Sequence, residues 1–250
     1  MLNIRRLAVL IALATAGCNA AHASSAPWFT YDGGPPTYVM FGIDSLTMGS
    51  HGATLPTNSG GYRTQLYTNL TALGKTHFIF EGTQYISSSV FGLPLSQGYH
   101  EGHSGFGWVD GITPDFDWSA HFAGYWAALP APADVIFLMG GENDFHNGYT
   151  PSQVAAHVTT TLGIIKATVP STTQIILSET PASPDEASNI AALNALLPAV
   201  IASAVAGGQL IVGPIAQPGV TFAVDDIHPD AAGYVTIGNN STATLAAYVH

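Results

Sequence analysis

Basic side chains are scarce in this chain, which has 5 Lys and Arg against 16 Asp and Glu among its 250 residues. Proteins that bind a nucleic-acid backbone need clustered basic residues, so the formal net charge of -11 argues against a nucleic-acid partner. Apolar residues make up 47% of the sequence, which is too many for a disordered chain. A chain of this length and composition can bury a sizeable core.

Cysteine is nearly absent, and the single Cys18 lies inside an N-terminal segment that looks like a secretion signal. This segment has two arginines, an apolar run over 7–16 that is too short to span a bilayer, and an Ala-x-Ala cleavage motif at 21–23. We therefore predict a signal peptide over residues 1–23 and a secreted or periplasmic mature protein. That protein would begin at Ser24 and contain no cysteine, which excludes disulfides.

A second interpretation of the N-terminal segment stays open. Ala16-Gly17-Cys18 resembles the end of a lipobox, and the mature protein would then be lipid-anchored through Cys18. After the signal, residues 24–36 are rich in Ser, Pro and Gly and are predicted to form an extended lead-in. No later run has the length and apolarity of a membrane helix, so we expect no membrane span.

Short apolar runs recur after residue 36, and most of them lack the alternation of a half-exposed strand. Such runs are typical of strands buried on both faces of a parallel sheet. Five are present: Tyr38–Ile43, His77–Phe80, Val135–Met139, Ile175–Ser178 and Leu210–Val212. Three helices are predicted. One begins at the capping pair Thr150-Pro151, and the other two cover 185–206 and 230–247. The alternation predicts one α/β domain over 37–250, a three-layer α/β/α sandwich on a five-stranded parallel sheet.

The stretch over residues 83–133 has a different character. It is rich in Gly, Ser and aromatic residues and has little periodicity. Connections of this length in a compact domain are often functional, so we expect a long functional loop there.

Ser45 follows the first predicted strand. In open α/β sheets, ligands bind beyond the carboxyl ends of the strands, so a serine at this place can present its hydroxyl to a cleft. The alternative is a helix N-cap, because Asp44 and Ser45 are both good capping residues.

Asn143 follows the third predicted strand, in a Gly-Gly-Glu-Asn-Asp sequence. Its side-chain amide could lie at the same edge of the sheet and donate a hydrogen bond to an oxyanion. The alternative is a glycine-rich turn with a capping Asn.

Asp225 and His228 follow the fifth predicted strand. A three-residue spacing across a turn lets Asp225 reach one imidazole nitrogen while the other nitrogen faces Ser45. A neutral imidazole can take the serine proton and return it to the leaving alcohol. The alternative is a surface turn, in which Pro229 opens the last helix and Asp226 is a capping or solvated acid. Together, the serine, the asparagine and the Asp-x-x-His pair predict ester hydrolysis.

Two other patterns compete for the chemistry. Residues 102–106 nearly match the G-x-S-x-G elbow around Ser104, but Phe replaces the second glycine and no clear strand precedes them. His100-Glu101-Gly102-His103 suggests a metal site that His121 or His146 could join, but it lacks the spacing of His-Glu-x-x-His. Because the Ser45 set needs no metal, we expect no catalytic metal and no cofactor.

The blocks resemble those of the SGNH hydrolases, also called the GDSL esterase/lipase family, whose four blocks contribute Ser, Gly, Asn and His. Residues 44–49, 141–144 and 225–229 match the first, third and last blocks, and Glu-Gly-His-Ser-Gly at 101–105 matches the second. Two departures lie beside catalytic positions. Ile43 replaces the Gly of Gly-Asp-Ser-Leu, and Glu142 replaces the usual Thr or Gln before the Asn.

This resemblance implies a flavodoxin-like strand order 2-1-3-4-5. It also implies a Ser-His-Asp triad in which Ser45 is the nucleophile, His228 is the base and then the acid, and Asp225 orients His228. It also implies an oxyanion hole that is formed by the backbone N–H groups of Ser45 and Gly102 and by the Asn143 amide. Gly105 is the alternative to Gly102 in that role.

Two further motifs, Gly60-Gly61-Tyr62-Arg63 and Ala231-Ala232-Gly233-Tyr234, resemble the carbohydrate-esterase branch that includes acetylxylan esterases. We therefore expect a serine esterase for short-acyl, acetyl-type esters of carbohydrates, with acetylated polysaccharide as the candidate substrate. Two other functions stay open. One is a lipase or arylesterase for apolar esters, and the other is a non-catalytic glycan-binding surface protein on the same fold.

Overall fold

Seven strands form the central sheet of the computed structural model, which describes residues 34–49, 60–86, 93–109, 114–205 and 210–250. Residues 35–250 make up one compact unit. The predicted signal peptide and most of the predicted lead-in lie outside the described residues. The strands are β1 (Thr37–Ile43), β2 (Phe78–Glu81), β3 (Gln84–Tyr85), β4 (Tyr99–Gly102), β5 (Val135–Met139), β6 (Gln174–Ser178) and β7 (Ile211–Ile215).

The five apolar runs form parallel neighbours in the order β2-β1-β5-β6-β7. This is the predicted order 2-1-3-4-5, and the α/β class is confirmed. β1 lies near the middle, with Val39 opposite Val135 of β5 and Met40 opposite Glu81 of β2. The carboxyl ends of β1 and β5 therefore meet at one edge of the sheet, which is the edge where ligands bind in such folds.

The expected count of five strands is wrong, because the segment predicted as a long loop contains β3 and β4. β4 pairs with the end of β1 in parallel, and β3 pairs with β4 antiparallel. Sequence patterns miss β4 because its interior positions are polar: His100 and Glu101 are almost completely buried. β4 also directly precedes the elbow-like residues 102–106, contrary to the expectation that no strand would precede them.

Helices cover both faces of the sheet and complete the three layers. Side chains alternate across each strand, so Val39, Phe41 and Phe137 join one buried cluster, whereas Met40 and Ile136 join the other. Helices α2 and α7 contribute to the first cluster, and α3, α5 and α6 contribute to the second. The helices are α1 (Ser45–Met48), α2 (Gly61–Ala72), α3 (Trp118–Ala128), α4 (Glu142–His146), α5 (Pro151–Thr168), α6 (Ala187–Val205) and α7 (Ala231–Ala246).

The predicted helix starts are confirmed where the capping chemistry is local. The Thr150 side chain accepts a hydrogen bond from the Gln153 N–H, and the Gln153 side chain accepts one in return from the Thr150 N–H. Pro151 occupies the first helical position, where its missing N–H costs nothing. Asp230 caps α7 by accepting a hydrogen bond from the Gly233 N–H.

Helix α6 is long and apolar enough, by length and composition, to cross a membrane. The expectation that no later segment meets that criterion is therefore wrong. In the structure α6 packs against α5 and β7, with Ile190, Leu193 and Leu197 buried in the core. The apolar residues of α6 thus pack this helix into one outer layer of the sandwich.

Candidate active site

Ser45 lies at the first position of α1, directly beyond the end of β1. The Asp44 side chain accepts a hydrogen bond from the Leu46 N–H at 2.9 Å and caps this short helix. Of the two possible capping residues it is therefore Asp44 that caps, and the Ser45 hydroxyl is available for another partner. That partner is His228, whose Nε2 lies 2.9 Å from Ser45 Oγ.

Asp225 holds the other side of the His228 imidazole. The distance from Asp225 Oδ2 to His228 Nδ1 is 2.8 Å. Asp225 Oδ1 accepts the backbone N–H groups of Ile227 and His228 at 3.1 and 3.0 Å. Both carboxylate oxygens are therefore used, one to shape the turn and one to orient the ring. Between them Asp226 has a φ of 57°, a left-handed conformation that Asp tolerates better than most residues.

The electrostatics of Asp225 favour the charged form. Burial alone would raise its pKa, but the hydrogen bonds from the His228 backbone, the His228 imidazole and the Ile227 N–H outweigh burial and lower the pKa. An ionised carboxylate at this place fixes which imidazole nitrogen carries the proton, because Nδ1 must then be the donor. Nε2 is left as an acceptor facing Ser45 Oγ, as a general base requires.

Asn143 is the second residue of α4, just beyond the end of β5. The N-cap of α4 is Gly141, and its φ of 134° suits glycine alone. The expected alternative, a capping Asn, therefore does not describe Asn143. Its Nδ2 donates to the Phe106 carbonyl at 2.9 Å, and an amide nitrogen has a second hydrogen to donate. One hydrogen orients the group, and the other can reach an oxyanion.

Gly102 ends β4 and packs directly against the turn that carries Ser45. A Cβ on Gly102 would lie 2.6 Å from the Met48 nitrogen and 2.8 Å from the Asp44 carbonyl oxygen, so no side chain fits there. Gly105, the alternative, instead lies against the Phe116 ring. Proximity thus favours Gly102. However, the Gly102 N–H donates to His100 Nδ1 at 3.1 Å, so an oxyanion would have to share or displace that bond.

The other patterns take different roles in the structure. Ser104 is exposed on a turn, whereas Ser45 lies within hydrogen-bond distance of His228. His100 and His103 have different hydrogen-bond partners: His100 Nδ1 accepts from the Gly102 N–H, and His103 Nε2 bonds to Glu101 at 2.6 Å. The His100 and His103 side chains thus bond to other groups of the same motif.

Among the described residues, Glu142, His146 and Asp185 could hold a metal ion, since their ligand atoms lie within 4.8 Å of one another. These groups already have partners. His146 Nε2 is 2.9 Å from Asp185 Oδ2, and Glu142 Oε1 accepts the Ser183 hydroxyl at 2.6 Å. The unusual Glu142 thus links α4 to the segment after β6.

Sequence reasoning missed the role of Asp144, which follows Asn143. Asp144 accepts the Trp108 N–H at 3.0 Å and bonds to His157 Nδ1 at 2.9 Å. Burial raises the pKa of Asp144, and the His157 and Trp108 bonds offset part of that rise. The Asp144 carboxylate therefore fastens the 103–109 segment to α4 at the point where Phe106 meets Asn143. The Asp in Gly-Glu-Asn-Asp was visible in the sequence, but its backbone partner was not.

Buried acids lie beneath the site. Burial, and to a smaller degree the charges of Glu142 and Asp144, raises the pKa of Asp44 to about 7, although the bond from the Leu46 N–H lowers it in part. Burial likewise raises the pKa of Glu142 to about 7. Because burial disfavours the charged form, these two carboxyl groups are partly protonated near neutral pH.

Comparison with known proteins agrees with this arrangement. Residues 44–235 match the model of the GDSL-like Lipase/Acylhydrolase family. No curated protein matches the chain in sequence. One similar crystal structure is that of an acetyl esterase mutant with an acetate ion, with a TM-score of 0.67 and 19% identity over 84% of this chain and 96% of that chain.

Two more solved structures share the fold. A carbohydrate esterase family 3 protein from Talaromyces cellulolyticus has a TM-score of 0.65 and 19% identity, over 84% of this chain and 96% of that chain. The native aryl esterase of M. smegmatis has a TM-score of 0.60 and 16% identity, over 85% of this chain and 100% of that chain. At these identities the likeness establishes the fold, and the family match establishes membership: the chain belongs to the GDSL-like lipase/acylhydrolase family and is a carboxylic ester hydrolase.

Proposed function

We propose that this protein is a secreted serine esterase that removes short acyl groups, of which acetyl is the simplest, from carbohydrate esters. The observation that carries the proposal is the continuous hydrogen-bond chain from Ser45 Oγ through His228 to Asp225. A serine hydroxyl becomes a nucleophile when an adjacent base accepts its proton and a third group orients that base.

The proposed mechanism follows from this chain. Ser45 Oγ attacks the ester carbonyl carbon while its proton passes to His228 Nε2. Asp225 holds the imidazole through Nδ1 and stabilises the imidazolium that forms. His228 then returns the proton to the leaving alcohol, which gives an acyl-serine. Water repeats the attack with His228 as base, releasing the acid and restoring Ser45.

Negative charge on the carbonyl oxygen is greatest in the tetrahedral intermediate. In our proposal the free hydrogen of the Asn143 amide and the backbone N–H of Ser45 donate to it, and Gly102 joins them when its N–H turns from His100. Donors that are already oriented before the reaction are worth more than mobile ones, because they need no reorganisation.

Support for the carbohydrate-esterase branch comes from where its two motifs lie. The Tyr62 hydroxyl is 3.1 Å from Thr47 Oγ1, and Arg63 Nε donates to the Thr47 carbonyl at 3.2 Å. A Cβ on Gly61 would lie 3.2 Å from the Tyr234 ring, so the second motif meets the first at the same place. Both motifs thus pack under the turn that carries Ser45.

An arylesterase is the second candidate, and one observation favours it. Val224, which directly precedes Asp225 in the chain, is 82% exposed, so the turn that carries Asp225 also presents an apolar side chain to solvent. An exposed valine there could contact an aromatic or aliphatic alcohol as readily as a sugar.

A substrate panel separates the candidates. We expect kcat/KM to be highest for p-nitrophenyl acetate among the acetate, butyrate and octanoate esters, with acetate released from acetylated xylan. High activity on the octanoate ester, with no acetate released from acetylated xylan, would favour a lipase or arylesterase for apolar esters. A fluorophosphonate probe should label Ser45, as located by peptide mass spectrometry. A folded protein that neither labels nor hydrolyses any ester would be a binding protein.

The N-terminus of the mature protein tests the proposed secretion and its route. Intact-mass measurement of protein from the periplasm or medium should give an N-terminus at Ser24. A diacylglyceryl-modified N-terminus at Cys18 would establish the lipid anchor instead.

A further inference from the structure

Glu101 is a buried acid that the proposed reaction does not use. It has no exposed surface, yet its carboxylate has three donors. Glu101 Oε2 accepts the Thr83 N–H at 2.6 Å, and Oε1 lies 2.7 Å from Thr83 Oγ1 and 2.6 Å from His103 Nε2. A buried carboxylate is costly unless it is hydrogen-bonded in this way, so the group is firmly placed.

His103, the partner of Glu101, is also fixed by ring contacts and by a backbone hydrogen bond. Its ring stacks on Tyr125 at 4.7 Å with an angle of 14° between the planes, and it lies 4.8 Å from the Phe106 ring. The His103 N–H donates to the Ile43 carbonyl at 3.0 Å, two positions before Ser45. The His103 backbone thus ties the segment after β4 to the end of β1, and the side-chain bond between His103 and Glu101 fixes the conformation of that segment, an arrangement we call the clamp.

The clamped segment carries two of the proposed oxyanion contacts. Gly102 lies between Glu101 and His103 in the chain. Phe106, whose N–H donates to the His103 carbonyl at 3.3 Å, offers its own carbonyl to Asn143 Nδ2 at 2.9 Å. A shift of His103 would therefore move both the Gly102 peptide and the acceptor that orients the Asn143 amide.

We propose that Glu101 and His103 are positioning residues of the oxyanion hole, acting through Gly102 and through the Phe106 carbonyl on Asn143. This inference rests on the proposed serine mechanism. It also gives the His-Glu-Gly-His motif a role other than metal binding: its side chains fix backbone groups around the reacting carbonyl.

The expected size of the effect follows from the geometry. Loss of one oxyanion donor costs roughly 10²–10³-fold in kcat, and misplacement by about 1 Å costs up to about 10²-fold. Removal of the clamp should misplace donors without deleting them. We expect kcat for p-nitrophenyl acetate to fall by about 10–10²-fold, with KM changed less than about threefold, because the donors act mainly on the transition state.

Three variants test the clamp. Glu101→Gln keeps the shape but removes the charge, and His103→Phe keeps a ring between Tyr125 and Phe106 but loses the bond to Glu101. His121→Phe is the matched control. The His121 ring lies in the same cluster, 6.0 Å from Phe106, and its Nε2 has no hydrogen-bond partner among the described residues. We expect the control to keep kcat within about twofold, since it leaves the clamp intact.

Double-mutant cycles distinguish positioning from general loss of structure. In the Asn143→Ala background, the effect of Glu101→Gln or His103→Phe on kcat should be clearly smaller than in the wild-type background, because the part that acts through Asn143 is gone and only the part that acts through Gly102 remains. In the Asp225→Asn background the effect should stay near its full size, since Asp225 acts through His228 on the Ser45 proton and not on the oxyanion donors. Equal effects in both backgrounds, or a rise in KM with kcat unchanged, would overturn the proposal.

Folding is monitored by near-ultraviolet circular dichroism and thermal melting of every variant. If Glu101→Gln fails to fold, the double-mutant cycles with His103→Phe alone test the positioning role. Wild type and Ser45→Ala are measured beside them. Activity that survives in Ser45→Ala would overturn the proposed function, whereas activity that depends on Ser45 with fully additive cycles would overturn only the clamp.

Discussion

Nε2 of His228 lies 2.9 Å from Oγ of Ser45, although the two residues are 183 positions apart in the chain. The fold brings them together because β1 lies in the middle of the sheet and the segment after β7 places His228 against the residue that follows β1. This contact singles out Ser45 as the nucleophile to test first.

Replacement of the hydroxyl is the most direct test. Ser45→Ala should lower kcat by about 10⁴-fold or more and abolish fluorophosphonate labelling, because no other group takes the place of the nucleophile. Thermal melting should be little changed, since only one oxygen is removed. The matched control is Ser104→Ala at the exposed turn, which should keep wild-type activity. The reverse pattern would move the nucleophile to Ser104.

Asn143→Ala tests the proposed oxyanion donor. We expect kcat to fall by roughly 10²–10³-fold while KM stays nearly constant, because the amide contacts charge that develops only in the transition state. Steady-state kinetics with p-nitrophenyl acetate measure both constants. A raised KM with an unchanged kcat would make Asn143 a substrate-binding residue.

The two neighbouring acids of the turn should differ sharply. Asp225→Asn removes the charged acceptor for His228 Nδ1 and allows the wrong imidazole tautomer, which costs up to about 10⁴-fold in kcat. Asp226→Asn should be nearly silent, because Asn adopts a left-handed φ such as the 57° seen here without difficulty. The assignment of Asp225 does not survive if Asp226→Asn is the crippling change.

Chelation tests the expectation that no metal takes part. Activity should be unchanged after dialysis against EDTA, because the proposed nucleophile is a side-chain hydroxyl rather than metal-bound water. Loss of activity that zinc restores would argue for a metal at Glu142, His146 and Asp185, the set whose atoms lie close enough to share an ion. His146→Ala would then abolish the rescue.

Glu81 makes stability depend on pH. Neither of its carboxyl oxygens has a hydrogen-bond partner among the described residues. Burial, and to a smaller degree the charge of Asp134, raises its pKa from 4.5 to about 8. The folded protein therefore keeps this proton while the unfolded chain loses it. The resulting stability is full below about pH 4.5 and is lost as pH rises toward 8.

Glu81→Gln, which cannot ionise, should therefore raise the melting temperature relative to wild type at pH 8 and leave it nearly unchanged at pH 5. Differential scanning calorimetry at both pH values measures the difference. Glu179→Gln, at a partly exposed glutamate, is the control and should show no such dependence. An equal shift at both pH values would mean that Glu81 is not protonated in the fold.

The sequence by itself determined what depends on neighbouring residues. Apolar runs marked five of the six strands that pair in parallel, because a strand buried on both faces is usually apolar along its length. Thr150, Pro151 and Gln153 marked the start of α5, since capping partners lie within one turn. The Asp225–His228 pair was visible for the same reason: three residues span the turn that joins their side chains.

Only the tertiary structure decided contacts between distant segments and contacts made by backbone atoms. β4 has no apolar pattern, because its buried positions are polar residues satisfied by Thr83 and His103 from outside the strand. The Phe106 carbonyl that orients Asn143 has no signature, since every residue has a carbonyl. Glu101 lies in a motif that suggested a metal site in the sequence, and in the structure its carboxylate is hydrogen-bonded to Thr83 and His103, because a carboxylate takes its role from the donors that the fold places around it.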